Sequence, residues 1–472
     1  MTTLQSLPFF KSELALIFGA CLTLFSDLTG LGKKSSITMA LLTIAVSTIL
    51  ALPFPDHPLT LFQGFYLVDG ITFFFRFFIL LITGTVILMS AGYLPLGVSL
   101  FSEYLSLLLF IAFGLMLMAG SAHILTLFLA VEFVSLLSYL LTGFSKKNLR
   151  SSEAALKYLL FGSFCSAIML YGLSLLFGLS GSLEFSAVKQ ALLDPQNRQV
   201  GTAALFLVLT GLGFKISMAP FHFWAPDVYD GAPTPVAAFF TVAPKALGFA
   251  LLIRVLIFVF APLSSVWLPA FYGFAIITMT VGNLSAAAQT NMKRLLAYSS
   301  IAHAGYLLMG LAVFTERGLQ AVFVYLIVYA ISNLGLFTAL MATAGPEGHD
   351  SFEAFSGLAK RSPFTAACFT VFLLSLAGIP PLAGFMGKFG LFAAVMDSGY
   401  IVLALTAGIN SLIAAFYYLK IIRIMYFKSG FPGAPALRLS FSAKALLFVL
   451  FSSTVGLGIF PSLLFSLTSR LF

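Results

Sequence analysis

Charge is scarce in this chain of 472 residues: Asp, Glu, Lys and Arg make up 9% of it, against about 25% in an ordinary soluble domain. Hydrophobic residues make up 60% and the mean hydropathy is +1.05, which excludes a soluble globular protein and makes the chain an integral membrane protein. Cysteine is nearly absent. Cys21, Cys165 and Cys368 stand alone in apolar segments, with no C-x-x-C or Cys/His spacing able to hold zinc, an iron–sulfur cluster or haem, so they read as core filler. No G-x-G-x-x-G follows a strand pattern and no G-x-x-x-x-G-K-[ST] occurs, which leaves nucleotide chemistry without a site. A net charge of +9 would suggest nucleic acid in a soluble protein, but the positions of the basic residues explain it as membrane topology, and no nucleic-acid partner is expected. The 53 phenylalanines are lipid-facing and core bulk.

Long apolar runs are what the chain has in excess. Windows of about 20 residues give about fourteen spans: 14–31, 35–52, 71–92, 103–119, 122–143, 152–179, 200–219, 234–261, 267–288, 295–314, 318–342, 364–394, 400–426 and 441–467. The first is read as a retained helix rather than a signal peptide, because only Lys11 precedes it and it runs past Asp27 without a small-x-small cleavage site. The expected fold is all-α and polytopic, a single membrane domain over residues 1–472. Odd-numbered connections hold fourteen Lys and Arg and the other side five, Arg438 and Arg470 among them, so the positive-inside bias puts both termini outside.

The six basic residues not counted to either side, Arg76, Lys157, Lys215, Lys245, Arg254 and Lys388, fall within the spans. An ammonium at membrane depth costs roughly 2.5–3.5 kcal/mol on insertion scales, so each needs a partner or a purpose. Lys215 precedes a stretch in which Pro220, Pro226, Gly231, Pro233 and Pro235 forbid a continuous helix, and Lys388 follows a second break at Gly378, Pro380, Pro381 and Gly384. Irregular backbone at that depth must be satisfied by protein or a water-lined cavity, so both breaks face the bundle interior. The broken spans are the seventh and the twelfth. An odd offset of five reverses the direction of crossing, so helices 4–8 (103–261) and 9–13 (267–426) read as two inverted five-helix repeats, each with one discontinuous helix.

Glu132 is the carboxylate placed well inside a span, and Lys215 is its natural partner. The two form either a structural ion pair or a proton-linked switch in which the charge of one tunes the other. Lys157 either snorkels or extends the axis; Lys245 lies two to three turns from the nearest helix end among uncharged neighbours. Arg76 and Arg254 read as snorkelling or structural. His57 and His349 read as surface and His123 as interfacial, whereas His222 in the first break, and His303 near Tyr298, Ser299 and Ser300, could carry a water chain, against the plainer reading of satisfied core histidines.

Three motifs in order, PFHFWAPDVYDGAPTPVAAFFTVAPK, NMKRLLAYSSIAHAGYLLMG and LAGIPPLAGFMGKFGLF, resemble the antiporter-like subunits of respiratory complex I, the proton-pumping NADH:quinone oxidoreductase, and among these the subunit N family. The resemblance covers essentially the whole chain. The P-F-H-x-W-x-P-D pattern is shared with subunits L and M and with multisubunit cation/proton antiporters, while D-V-Y-x-G-x-P-T-P-V and V-A-P-K look specific to subunit N; subunit M would carry Glu at the Lys388 position. The resemblance implies fourteen helices with discontinuous helices 7 and 12, and channel residues at Glu132, Lys215, Lys245 and Lys388, with Lys157 as an addition. It implies proton translocation driven by quinone reduction elsewhere in the complex, with no cofactor in this chain and with NADH or another donor feeding other subunits. The implied partners are neighbouring antiporter-like subunits in a bacterial inner membrane. A subunit of a cation/proton antiporter or of a hydrogenase-linked membrane arm is the alternative; a passive scaffold leaves four mid-membrane charges unexplained.

Overall fold

A computed structural model of the chain describes residues 1–26, 32–52, 57–93, 100–344, 350–430 and 440–468. Asp27, His349, Arg438 and Arg470 lie outside these. Among the described residues, twelve helices are long and apolar enough to cross a membrane, or thirteen if the bent pair Thr3–Phe9 and Lys11–Phe25 is one span. The second to eleventh expected spans and the thirteenth begin and end within three residues of helices, from Gly32–Ala51 to Ile401–Phe427. Agreement at that level reflects the physics, since in hydrocarbon every backbone group must be satisfied inside the segment and the apolar run sets the helix length.

Helix starts are fixed by side chains that accept orphan N–H groups. Asn291 Oδ1 accepts from Arg294 N at 3.0 Å at the head of Met292–Val313, and Asp69 Oδ1 from Thr72 N at 2.9 Å at the head of Gly70–Ala91. The last expected span stops early. Its helix is Phe441–Ile459, and Pro461, which has no N–H to continue the ladder, precedes a separate short helix Ser462–Thr468. Two elements had no apolar signal: an antiparallel hairpin pairing Leu59–Leu61 with Tyr66–Val68, and the short helix Phe185–Ala191.

Burial separates interior from lipid-facing helices. The most apolar windows of Thr234–Phe258, Met292–Val313 and Glu316–Thr343 are 100%, 94% and 89% buried, whereas that of Gly32–Ala51 is 28% buried. The three interior helices carry Lys245, then Ser299, Ser300 and His303, then Tyr325 and Tyr329, so polar groups line the centre of the bundle.

Both expected breaks are present. Helix Arg198–Ile216 ends at Ser217 in the left-handed region (φ 58°), and the chain resumes helix at Trp224–Gly231. The freed groups find partners: the Phe214 carbonyl accepts from Trp224 Nε1 at 3.1 Å, and Ala219 N donates to Thr278 Oγ1 at 3.1 Å. The second break separates Pro363–Ala377 from Ala383–Asp397. Gly378 there has φ +86°, and a Cβ on it would sit 2.8 Å from Lys388 Cδ, so only glycine leaves room for the lysine to lie across the break. Each break contains one cis X-Pro peptide, Ala219–Pro220 and Pro380–Pro381.

Candidate functional site

The buried charges divide by how they are held. Arg254 is paired with Asp69 (2.6 Å) and Arg76 with Glu13 (2.7 Å). Neither arginine reaches out to solvent: each is held in a buried ion pair. Glu13, which carries no signal in the sequence, is fully buried in the first turn of helix Lys11–Phe25, just ahead of the expected span start at residue 14. Its Oε1 accepts from Arg76 and from the Tyr66 hydroxyl at 2.8 Å.

The three mid-span lysines have no carboxylate within ion-pair distance among the described residues. Lys215 is buried and its Nζ has no hydrogen-bond partner. Glu132, on helix Ile124–Thr142, is half-buried and accepts from Ser166 Oγ at 2.5 Å rather than touching Lys215. The two do not make the contact that their positions suggest. Lys245 Nζ donates to the carbonyl and hydroxyl oxygens of Ser300, at 2.8 and 2.9 Å. Lys388 Nζ donates to the Ala377 carbonyl freed at the second break (2.9 Å), approaches Ser411 Oγ at 3.5 Å and stands 4.6 Å from the centre of the Tyr306 ring.

Between Lys245 and Lys388 runs a set of hydroxyl and imidazole groups. His303 Nδ1 lies 2.6 Å from the Tyr325 hydroxyl and Nε2 lies 3.3 Å from that of Tyr418, which also bonds Ser299 Oγ. Ser411 Oγ donates to the Tyr306 hydroxyl at 3.2 Å. A cavity of ≈ 10 Å³, about the space of one water, is lined by His303, Tyr325, Tyr329, Ser375 and Gly384, and the buried Tyr329 hydroxyl has no hydrogen-bond partner. His222 is buried in the first break, stacked on Phe223 at 4.5 Å, with Nδ1 unpartnered. Tyr298 is only half-buried, unlike its neighbours Ser299 and Ser300.

Lys157 belongs to a different cluster. It is 39% exposed and bridges Glu153 (2.7 Å) and Asp227 (2.8 Å), and Asp227 also binds Arg294 at 2.8 Å. Lys293 donates to the carbonyls of Asp230 and Ala232 at 3.1 Å each, placing a cation at the C-terminal end of the short helix Trp224–Gly231. That helix is thus held between the first half of the chain and the second. Asp227, Arg294, Tyr306, Tyr325, Tyr418 and Ser411 escape sequence reasoning; the one signal available is that Asp227 stands inside the first proline-rich break. Among the described residues no cluster of three or more His, Cys, Asp or Glu could hold a metal ion.

Residues 121–414 match the family described as NADH:quinone oxidoreductase/Mrp antiporter, TM. The chain is similar to NADH-quinone oxidoreductase subunit N 2 of Sorangium cellulosum, 42% identical over 90% of this chain and 89% of that protein. It is also similar to NADH-quinone oxidoreductase subunit N of Desulfovibrio desulfuricans, 40% identical over 98% and 96% of the two chains. Among solved structures, a chain of respiratory complex I from Thermus thermophilus with bound aureothin superposes with a TM-score of 0.83, at 34% identity, over 97% of this chain and 100% of that one.

Proposed function

The chain belongs to the NADH:quinone oxidoreductase/Mrp antiporter membrane family, as a subunit N of NADH-quinone oxidoreductase set among other membrane subunits, and from that premise we propose that it carries protons across the membrane through Glu132, Lys215, Lys245 and Lys388. The observation that carries the reading is the contrast between the buried cations: Arg76 and Arg254 each have a carboxylate, whereas Lys215, Lys245 and Lys388 have neutral partners or none. Arginine remains protonated in proteins, while a buried lysine without a counter-ion can take up and release a proton. Three such buried lysines are costly as scaffolding and suited to transfer.

In this mechanism a change at a neighbouring subunit alters the charge or position of Glu132, which acts on Lys215 through space. The proton passes from Lys215 across the first break to Lys245, then through Ser300 and the His303, Tyr325 and Tyr418 hydroxyl system to Lys388, and out beside the second break. His222 lies at the first step and Lys157 at its cytoplasmic approach. The oxidation of NADH or another donor and the reduction of quinone take place in other subunits, and this chain transfers no electrons. The architecture that fits is fourteen crossings in a bacterial inner membrane, with Arg198–Ile216 plus Trp224–Gly231, and Pro363–Ala377 plus Ala383–Asp397, each counted as one broken helix of an inverted repeat, and with both termini outside.

The test is NADH-driven proton uptake by inverted membrane vesicles carrying Lys245→Met. Loss of most pumping in a complex of normal abundance is expected; wild-type pumping in that complex would remove Lys245 from the pathway.

A further inference from the structure

Arg254 lies on the same helix as Lys245, nine residues toward its C-terminal end, roughly 13 Å at 1.5 Å per residue. The residues between them on this helix, Ala246 to Ile253, are apolar and buried, and the Lys215–Ile216 end of helix Arg198–Ile216 packs against them at Gly248. At its end the Arg254 guanidinium is 0% exposed while its partner Asp69 is 15% exposed. Nη2 donates to Asp69 Oδ1 (2.6 Å) and Thr72 Oγ1 (2.7 Å), Nε donates to the Ala119 carbonyl, and Nη1 is buried without a hydrogen-bond partner. Asp69 is itself fixed as the cap of helix Gly70–Ala91. The pair is therefore an immobilised dipole with its permanent positive end inward and its negative end at the start of helix Gly70–Ala91.

An apolar side chain would seal this end of the helix as well as a salt bridge does, and replacing a buried ion pair by apolar groups is often neutral or stabilising. What the arginine adds is a charge that cannot be neutralised by losing its proton, and such a charge repels hydronium in narrow pores. We propose that Arg254 is the barrier that keeps a proton held at Lys245 from escaping along its own helix to the outer side, so that the only route onward is across Ser300 into the second half. Arg254 is in this sense a positioning residue for transfer. The proposal rests on the proton-transfer reading of Lys245.

The neighbouring pair supplies the control. Arg76 and Glu13 are as deeply buried, and Arg76 also binds the Phe9 carbonyl at 3.0 Å, but they lie on helices other than that of Lys245. The experiment reconstitutes the purified complex into proteoliposomes, imposes a pH gradient without NADH and follows passive proton flux with an entrapped dye. Two double variants leave no unpaired charge: Arg254→Gln with Asp69→Asn, and Arg76→Gln with Glu13→Gln. The first should raise passive flux about tenfold, the change expected when a barrier falls by about 1.4 kcal/mol; the second should stay at the wild-type level. Adding Lys245→Met to the first should return the flux to wild type. Wild-type flux in the first double variant, equal leaks in both, or a leak that persists without Lys245 would each overturn the barrier. Failure of the proton pathway itself is read separately, as unimpaired pumping in Lys245→Met alone.

Discussion

Lys245 Nζ donates to both the carbonyl and the hydroxyl of Ser300, at 2.8 and 2.9 Å, and this is where a charge carried by the first half of the chain meets the second. Lys245 sits on the interior helix Thr234–Phe258, and Ser300 sits on Met292–Val313, one turn before His303. The ammonium is thus held toward the hydroxyl and imidazole groups that lead to Lys388.

Ser300→Ala removes one of those two acceptors and leaves the carbonyl. Pumping should fall about tenfold or less, in keeping with the loss of one charge-assisted hydrogen bond worth about 1.5 kcal/mol, with the complex assembled at wild-type abundance. Proton uptake normalised to complex content checks this, and unchanged uptake would place the hand-off elsewhere.

Asp227 links Lys157 and Arg294, at 2.8 Å each, and so ties the short helix of the first break to both halves. These pairs are about one-third exposed, so breaking them should cost stability of only about 1 kcal/mol or less. The expected consequence of Asp227→Asn is a slower coupled turnover in an intact complex, largely rescued by Asp227→Glu. Equal rates in Asp227→Asn and wild type would reduce the cluster to surface charge.

Gly378→Ala tests the seat of Lys388. The substitution forces a Cβ into the left-handed region, at roughly 1–2 kcal/mol, and against Lys388 Cδ. Proton uptake should drop in this variant by more than the fall in complex abundance; proportional losses would mean that the break is architecture alone.

Reporter fusions after residue 468 test the topology read from the Lys and Arg count. Activity only of a reporter that works outside the cytoplasm is expected, and the reverse pattern would invert the direction of the whole pathway.

The spans, the two breaks and the lysines at them are legible in the sequence because each follows from a single strong cost, that of burying a charge or an unpaired backbone group in hydrocarbon. The partners of those lysines are not legible. Glu132 and Lys215 share a depth but not a contact, since depth along a helix says nothing about rotation around it, and the Glu132 carboxylate turns to Ser166. Tyr325, Tyr418 and Ser411 look like ordinary residues of apolar helices until packing brings them around His303 and Lys388. Lys157 reads from its turn number as part of the axis or as a snorkelling end, and only the fold brings Asp227 to it.

The central claim, that the unpaired lysines are proton carriers and not structural charges, is tested most directly at Lys215, whose Nζ has no partner to lose. Lys215→Met removes a buried charge without leaving an orphan, so the assembled complex should be as abundant as wild type and melt at the same temperature or higher. NADH-driven proton uptake measured on those same membranes should fall to a small fraction of wild type. A stable complex that still pumps at the wild-type rate would contradict the account.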